Sequence, residues 1–318
     1  MSRYIVKRLL SALVVLFFVS LITFLALEAI PGTRAELMLG TDATEEKIEM
    51  LSESMGLNDP WYVRYFSLLG GLLRFDLGES WLYGESVSRL ILQRLPVTFS
   101  LTVFSLLIAV VFSSVLGILA ALKKGSLIDG FARSFVQLAS AVPSFWLGMV
   151  AIIIFAGNLG WFPVNGYVAP GQGFGAFLNS ITLPSIILAI GESGLMTRMV
   201  RSSMLKALDQ DFMLSARVKG LSRTRSVVTY ALRSAVIAPI TLVGTQAAKL
   251  FGGTVIIETI FALPGIGRLL LVAVEQRDIV LLQGIVLFIT GMVVMMNLLT
   301  DIFVHKANPL IRLDEEEK

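Results

Sequence analysis

Four ionisable side chains lie within or at the ends of long apolar runs: Glu192, Lys249, Glu258 and Asp301. A charge in hydrocarbon is costly, so such groups either meet a passing solute or pair inside the protein. A Glu and a Lys facing a pore would read a solute bearing both charges. The alternative is an ion pair between helices, or a long side chain reaching back to the interface. Gly191 and Gly194 flank Glu192, and small residues allow helices to approach closely. Other chemistries are excluded by composition. The chain has no cysteine and one histidine, His305, beside Lys306 at the end of an apolar run. That removes disulfides, thiolate nucleophiles and His-clustered metal sites, and with them a Cys/His or central Ser/His hydrolase. No Gly-Asp motif for an aspartyl pair occurs in the apolar runs. A phosphate-binding Gly-x-x-x-x-Gly-Lys-Ser/Thr loop is also absent. Gly171-Gln-Gly-Phe-Gly175 has neither the Lys nor a preceding strand and reads as a flexible loop.

The elements that position these residues must be membrane helices. Of the 318 residues 55% are apolar and 15% charged, and the mean hydropathy is +0.80. Soluble domains carry about 25% charged residues. Six runs approach the ~20 residues needed to cross a bilayer: Leu9–Leu27, Thr98–Leu122, Phe135–Leu159, Ile181–Met199, Val236–Phe261 and Ile279–Val304. The first is longer than a signal-peptide core and reaches Ile30-Pro31-Gly32 without a clear cleavage site, so it is expected to be retained. Most of the 26 basic residues fall before span one, after spans two and four, and in the tail. The positive-inside rule then places both termini in the cytoplasm.

Span one and its lead occupy residues 1–30, followed by an external loop over 31–96. Asp42 with Glu45 resembles a helix-capping box for a helix through Met55, and Asn58-Asp59-Pro60 marks a break. Trp61–Phe75 then reads as an amphipathic helix, either a cap over the bundle or a docking surface. Residues 97–304 carry spans two to six, with a basic cytoplasmic segment at 201–235; 305–318 is a tail ending in the acidic run Asp314–Glu317. Within 201–235, Asp211 is expected to cap a helix from Phe212, with Leu214, Val218 and Leu221 on one face, Lys219 in the last turn and Gly220 in a left-handed cap. Ser222 starts a second helix with an apolar stripe of Val227, Val228, Ala231, Leu232 and Ala235. Helix, turn and helix would lie flat on the cytoplasmic surface, binding anionic lipid or offering an apolar face to a protein.

The segment Asp211-Phe-Met-Leu-Ser-Ala-Arg-Val-Lys-Gly220-Leu-Ser resembles the coupling loop of ABC-importer permeases, in the form found in the dipeptide, oligopeptide and nickel branch. Further stretches resemble that branch in the same order: Arg3–Arg8, Met55-Gly-Leu-Asn-Asp-Pro60, Phe75-Asp-Leu-Gly-Glu-Ser80, Arg94-Leu-Pro96, Pro143-Ser-Phe-Trp-Leu-Gly148, Trp161-Phe-Pro-Val-Asn-Gly166, Val255–Gly267 and Asn308-Pro309. Leu214 and Ser215 depart from the wider family, which has Glu and Ala there; Ala216 and Gly220 fit, and the downstream proline is Pro239.

This resemblance implies an all-α, six-span permease of the type I kind in a bacterial or archaeal inner membrane. It would form half of a pore for di- or oligopeptides, beside a paralogous second permease. An external solute-binding protein would deliver substrate, and two cytosolic ATPases would hold the ATP and Mg; this chain would need no cofactor or metal and bind no nucleic acid, only its protein partners and membrane lipids. Asp211, Phe212, Leu214, Ser215, Ala216, Val218, Lys219, Gly220 and Leu221 would form the ATPase contact. Glu192, Lys249 and Glu258 would line a pore or gate, and Leu263, Pro264, Gly265, Ile266 and Gly267 would meet the binding protein. Glu258 and Asp301 have the interfacial ion pair as their alternative role, and the Leu263–Gly267 stretch that of a plain turn. Nickel- and glutathione-type permeases of the same branch are alternatives, as is an ion-coupled secondary transporter, which would need its own mid-membrane coupling site.

Overall fold

The computed structural model describes residues 2–29, 34–39, 44–54, 56–74 and 76–307. The expectations for Ile30-Pro31-Gly32, Asp42, Met55, Phe75, Asn308-Pro309 and the acidic tail fall outside them. The chain forms two units: residues 1–98 with 264–294, and 99–263 with 295–318.

In the first unit, α1 (Ser2–Glu28) is the first apolar helix. Three short helices follow, α2 (Arg34–Leu39), α3 (Glu45–Ser54) and α4 (Trp61–Leu73). The last begins after Pro60, which suits a helix start because its missing N–H would have no partner there. Tyr65 of α4 is buried against Phe17 and Phe24 of α1, and its hydroxyl shares a 2.9 Å hydrogen bond with Ser20. Arg64 pairs with Glu28. These contacts make α4 a cap on α1, while Trp61, Tyr62 and Phe66 stay exposed.

A small hairpin, β1 (Glu79–Ser80) and β2 (Glu85–Ser86), leads into α5 (Val87–Leu122), which carries Pro96 internally. Span two was expected from Thr98; the helix starts eleven residues earlier because Val87, Leu90 and Ile91 are fully buried in a core with Ile266, Leu269 and Leu281. Asp278 anchors this region. Its carboxylate accepts from Ser80 Oγ at 2.5 Å and from the Leu281 amide at 3.0 Å, tying the hairpin to the first turn of a later helix.

The second unit continues with α6 (Leu127–Ala141), α7 (Ser144–Ala151, extended by π-helical turns over Ile152–Asn158), α8 (Phe174–Leu208) and α9 (Asp211–Val218). Then come α10 (Arg223–Ser226), α11 (Leu232–Ala235), α12 (Ile237–Gly253) and α13 (Val255–Ile260). In the first unit α14 (Ile266–Glu275) follows, and α15 (Ile279–Ala307) ends the described chain.

Among the described residues four helices are long and apolar enough to cross a membrane singly, and the number reaches six when each of two bent pairs is counted as one span. The third expected span, Phe135–Leu159, is corrected to such a pair, bent by 98° between α6 and α7. Pro143 is the cause. It disfavours helical backbone at the residue before it, and Val142 is extended at φ −91°, ψ 123°. The fifth, Val236–Phe261, begins at a bend of 48°, between Arg223–Ala235 and Pro239–Gly253. Span four is longer than expected: α8 begins at Phe174, so the glycine-rich stretch expected as a flexible loop is instead its entry, with Gly173 at φ +140°.

Small residues set the helix spacing around α8. A Cβ on Gly194 would lie 3.1 Å from Ala139 Cβ and 3.4 Å from the Val136 carbonyl of α6. One on Gly191 would meet nothing within 4 Å. Gly194→Val should therefore destabilise the folded protein by about 1–3 kcal/mol, and Gly191→Val should leave it unchanged. Thermal melting of both variants in detergent checks this; equal midpoints would show that α6 and α8 do not depend on the contact.

Candidate coupling surface and intramembrane charge cluster

The helix-turn-helix segment expected to form the coupling loop is built around α9. Two residues, Asp209 and Gln210, separate it from the end of α8. Gln210, not Asp211, occupies the capping position, and no side chain closes that end. Asp211 is the first helical residue, where its negative charge suits the helix dipole. The shift arises because Met213 amide pairs with the Gln210 carbonyl at 2.9 Å, which starts the helix one residue early. At the other end, Gly220 has φ +75°. Leu221 N–H donates to the Ala216 carbonyl and Gly220 N–H to the Arg217 carbonyl, at 3.1 and 2.9 Å, the paired bonds of a glycine-terminated helix. Ser222 Oγ accepts from the Arg225 amide and caps α10.

One face of α9 is inside the chain and one is not. Met213 and Ala216 are buried, and Phe212 is half-buried with its ring 6.4 Å from Tyr230. Met213 joins Ala121, Met204, Ala207, Val227, Ala231 and Ala235 in one apolar cluster. Leu214 is 64% exposed and Val218 83% exposed. Ser215 and Lys219 are exposed as well, and Leu221 is intermediate. Two expectations change. Ala216, expected to admit a partner's surface, packs into its own chain at 3% exposure. The segment after Ser222 is not a separate element: Val227, Ala231 and Ala235 pack on Met204 and Ala207 of α8, and it forms a pair bent by 48° with Pro239–Gly253. Val228 leaves the expected stripe and is exposed, since the π-helical turns at Val227–Ala231 rotate it outward.

The intramembrane charges meet on α8 and α12. Glu192 is buried, and one carboxylate oxygen lies 3.1 Å from Lys249 Nζ. Gln246, one turn before Lys249, donates to the other oxygen. Glu192 and Lys249 thus form the interhelical ion pair that was the alternative to separate pore groups. The pair is asymmetric: the Glu192 side chain is 11% exposed and that of Lys249 67%. An ammonium so placed cannot face hydrocarbon, so this face of α12 meets water or protein. Glu258 is fully buried and has polar interactions of its own within the chain, so it is not offered to a solute. Asp301 on α15 is half-buried and also partnered. His305 is helical.

Leu263, Gly265, Ile266 and Gly267 are buried and Pro264 is half-buried. The expectation that they are offered to an external protein is therefore corrected: their side chains serve the chain's own packing. The Leu263 amide donates to the Glu258 carbonyl at 2.8 Å, and the Ile266 amide to Thr98 Oγ1 at 2.8 Å, which is how a Pro-Gly turn is held.

Sequence reasoning missed one further group. Asp129, buried on α6, takes a bidentate contact from Arg201 of α8, Nε at 2.6 Å and Nη2 at 3.1 Å, and accepts from the Gly125 amide at 3.0 Å. The available signal was a single acid within the basic stretch Lys123–Arg133.

Comparison with known proteins agrees with this architecture. The family model described as binding-protein-dependent transport system inner membrane component matches residues 113–313, and its N-terminal companion matches residues 1–102. A putative peptide transport system permease protein of Brucella abortus (strain 2308) is 40% identical over 99% of this chain and 100% of its own length. The di/tripeptide transport system permease protein DppB of Pseudomonas aeruginosa (strain UCBPP-PA14) is 35% identical, with 98% and 99% covered. Among solved structures, an inward-facing MetNI methionine ABC transporter superposes with TM-score 0.56 over 69% of this chain and 96% of that chain, at 14% identity, which speaks to the fold alone. With the helices, the broken spans and full-length relatives in agreement, the chain belongs to the binding-protein-dependent transport system inner membrane component family, as a multi-pass permease subunit.

Proposed function

We propose that this subunit forms half of the translocation pore of an ATP-driven importer for di- or oligopeptides. A paralogous permease supplies the other half, and an external solute-binding protein delivers the peptide. Two cytosolic ATPases bind ATP and Mg, and this chain takes no cofactor. Full-length similarity to relatives named for peptide transport supports the substrate class. Nickel- and glutathione-type solutes are the competing substrates. Both termini are cytoplasmic in this reading, which follows from the distribution of Lys and Arg.

The observation that carries the coupling role is the divided surface of α9. Its inner face is anchored on α8 through Met213, while Leu214 and Val218 stay largely uncovered by the described residues. Two exposed aliphatic side chains on a rigid, glycine-terminated helix suit an apolar socket on an ATPase. Asp211, Ser215, Lys219 and Gly220 rim that face, and Phe212, Ala216 and Leu221 support it from within. On the membrane side, the exposed ammonium of Lys249 has donors left for a peptide carboxylate, while Glu192 holds it in place. Glu258 is too deeply buried for the same role.

The coupling role is tested at Leu214, Val218 and Gly220. A Leu214→Asp/Val218→Asp variant should assemble in the membrane but lose ATPase association and peptide-stimulated hydrolysis. No atom stands near a Cβ on Gly220, so the only obstacle to substitution there is its left-handed backbone. Asn visits that region and a β-branched residue does not. Gly220→Asn should thus retain coupling and Gly220→Val should uncouple hydrolysis from uptake; wild-type uptake by both Gly220→Val and the Asp double variant would remove α9 from the coupling site. For the pore, Lys249→Gln should lower peptide uptake roughly tenfold, about 1.4 kcal/mol, with assembly intact, and unchanged uptake would remove Lys249. ATP-independent uptake by this chain alone in vesicles would favour a secondary transporter.

Orientation is tested by single cysteines, because the native chain has none. Met50, 67% exposed on α3, should label with an impermeant thiol reagent from outside when changed to Cys, and Thr224 on α10 should not. Reversed labelling would overturn the topology.

A further inference from the structure

The antiparallel pair α6 and α8 is fastened at two levels. At one, Gly194 admits Ala139 and the Val136 carbonyl; at the other, Arg201 clasps Asp129. Between them the helices leave a cavity of about 540 Å³, lined among others by Gly130, Arg133, Ser134, Gln137, Arg198 and Arg201. Its polar lining is cationic or neutral. Arg201 is committed to Asp129, and Arg133 lies 3.8 Å from the same carboxylate while its own side chain is 65% exposed. Arg198 is exposed and has no hydrogen-bond or ion-pair partner among the described residues. The lining thus holds three guanidiniums, of which Arg201 and Arg133 share the one buried carboxylate of Asp129, and the cavity carries an excess of positive charge.

Its depth in the membrane follows from the same helices. The apolar run of α6 begins at about Phe135, and that of α8 ends at about Met199. The cavity thus straddles the level where hydrocarbon gives way to headgroups. An uncompensated guanidinium there is costly next to acyl chains and stabilised beside phosphate, and basic pockets between spans on the cytoplasmic side suit anionic headgroups. Ser134 and Gln137 add donors for a glycerol or phosphate oxygen, and Leu138, 62% exposed on α6, lies on the apolar side of that level.

We infer that the α6–α8 cavity binds the headgroup of an anionic phospholipid of the cytoplasmic leaflet, with Arg198 and Arg133 on its phosphate and Arg201 kept in place by Asp129. The leaflet rests on the orientation under the proposed function; the binding itself does not. Occupancy would clamp the two helices between their fixed levels.

The test uses the full-length protein with its copurifying subunits in detergent, and native mass spectrometry with added phosphatidylglycerol or phosphatidylcholine of matched chains. Wild type should retain phosphatidylglycerol with a roughly tenfold preference, and Arg133→Gln/Arg198→Gln should lose it while assembling normally. Arg198→Lys, which keeps the charge, should retain most of it. Equal retention by wild type and the double variant would overturn the site. Stripping of the lipid by millimolar inorganic phosphate would overturn it too, by showing a general anion site. Detergent has no sides, so a failure here speaks only to the lipid site, and a failed topology is seen separately in the cysteine labelling.

Discussion

Hydrocarbon offers no hydrogen bonds, and the arrangement of this protein follows from that constraint. Backbone groups must be satisfied within each spanning segment, so the apolar runs are helical and depart from helix only at defined places. Pro143 forces one such break, and the ends of α6 and α7 meet there at 98°. Charges obey the same rule. Glu192 is tolerable inside because Lys249 and Gln246 both donate to it, and Asp129 because Arg201 and the Gly125 amide do. A carboxylate buried without such donors would cost several kcal/mol.

Helix α8 is where these constraints converge. Gly194 brings α6 close, Glu192 reaches to α12, Arg201 holds α6 again, and Met204 with Ala207 seats α9 and the Val227–Ala235 segment. It is continuous from Phe174 to Leu208 and ends two residues before α9. In the proposed importer, a displacement of α9 by an ATPase therefore has a stiff path to the Glu192–Lys249 pair. Side chains packed on both sides of α8 leave little slack, because interiors at native density transmit strain.

The first unit is stabilised differently. Its short helices carry few long apolar faces, and α4 is held by Tyr65 among Phe17, Phe24 and Ser20. Asp278 does for the hairpin what a longer sheet would do elsewhere, since two residues per strand cannot fold alone.

Much of this was legible in the residues themselves. The six apolar segments, the two-sided charge distribution, the Ser222 cap and the left-handed Gly220 follow from local rules, because hydropathy, proline and glycine act on the chain where they stand. So did the family, through ordered motifs spread over the chain. Only the tertiary structure decided which faces are covered. Periodicity placed Leu214 and Val218 together but could not say that Met213 and Ala216 turn inward. Nor could it show that Leu263–Gly267 is spent on internal packing, or that Glu192 takes Lys249 as its partner. Those outcomes depend on contacts between residues far apart in the chain. The Asp129–Arg201 clasp joins positions 72 residues apart, and no local pattern specifies which arginine an acid will meet.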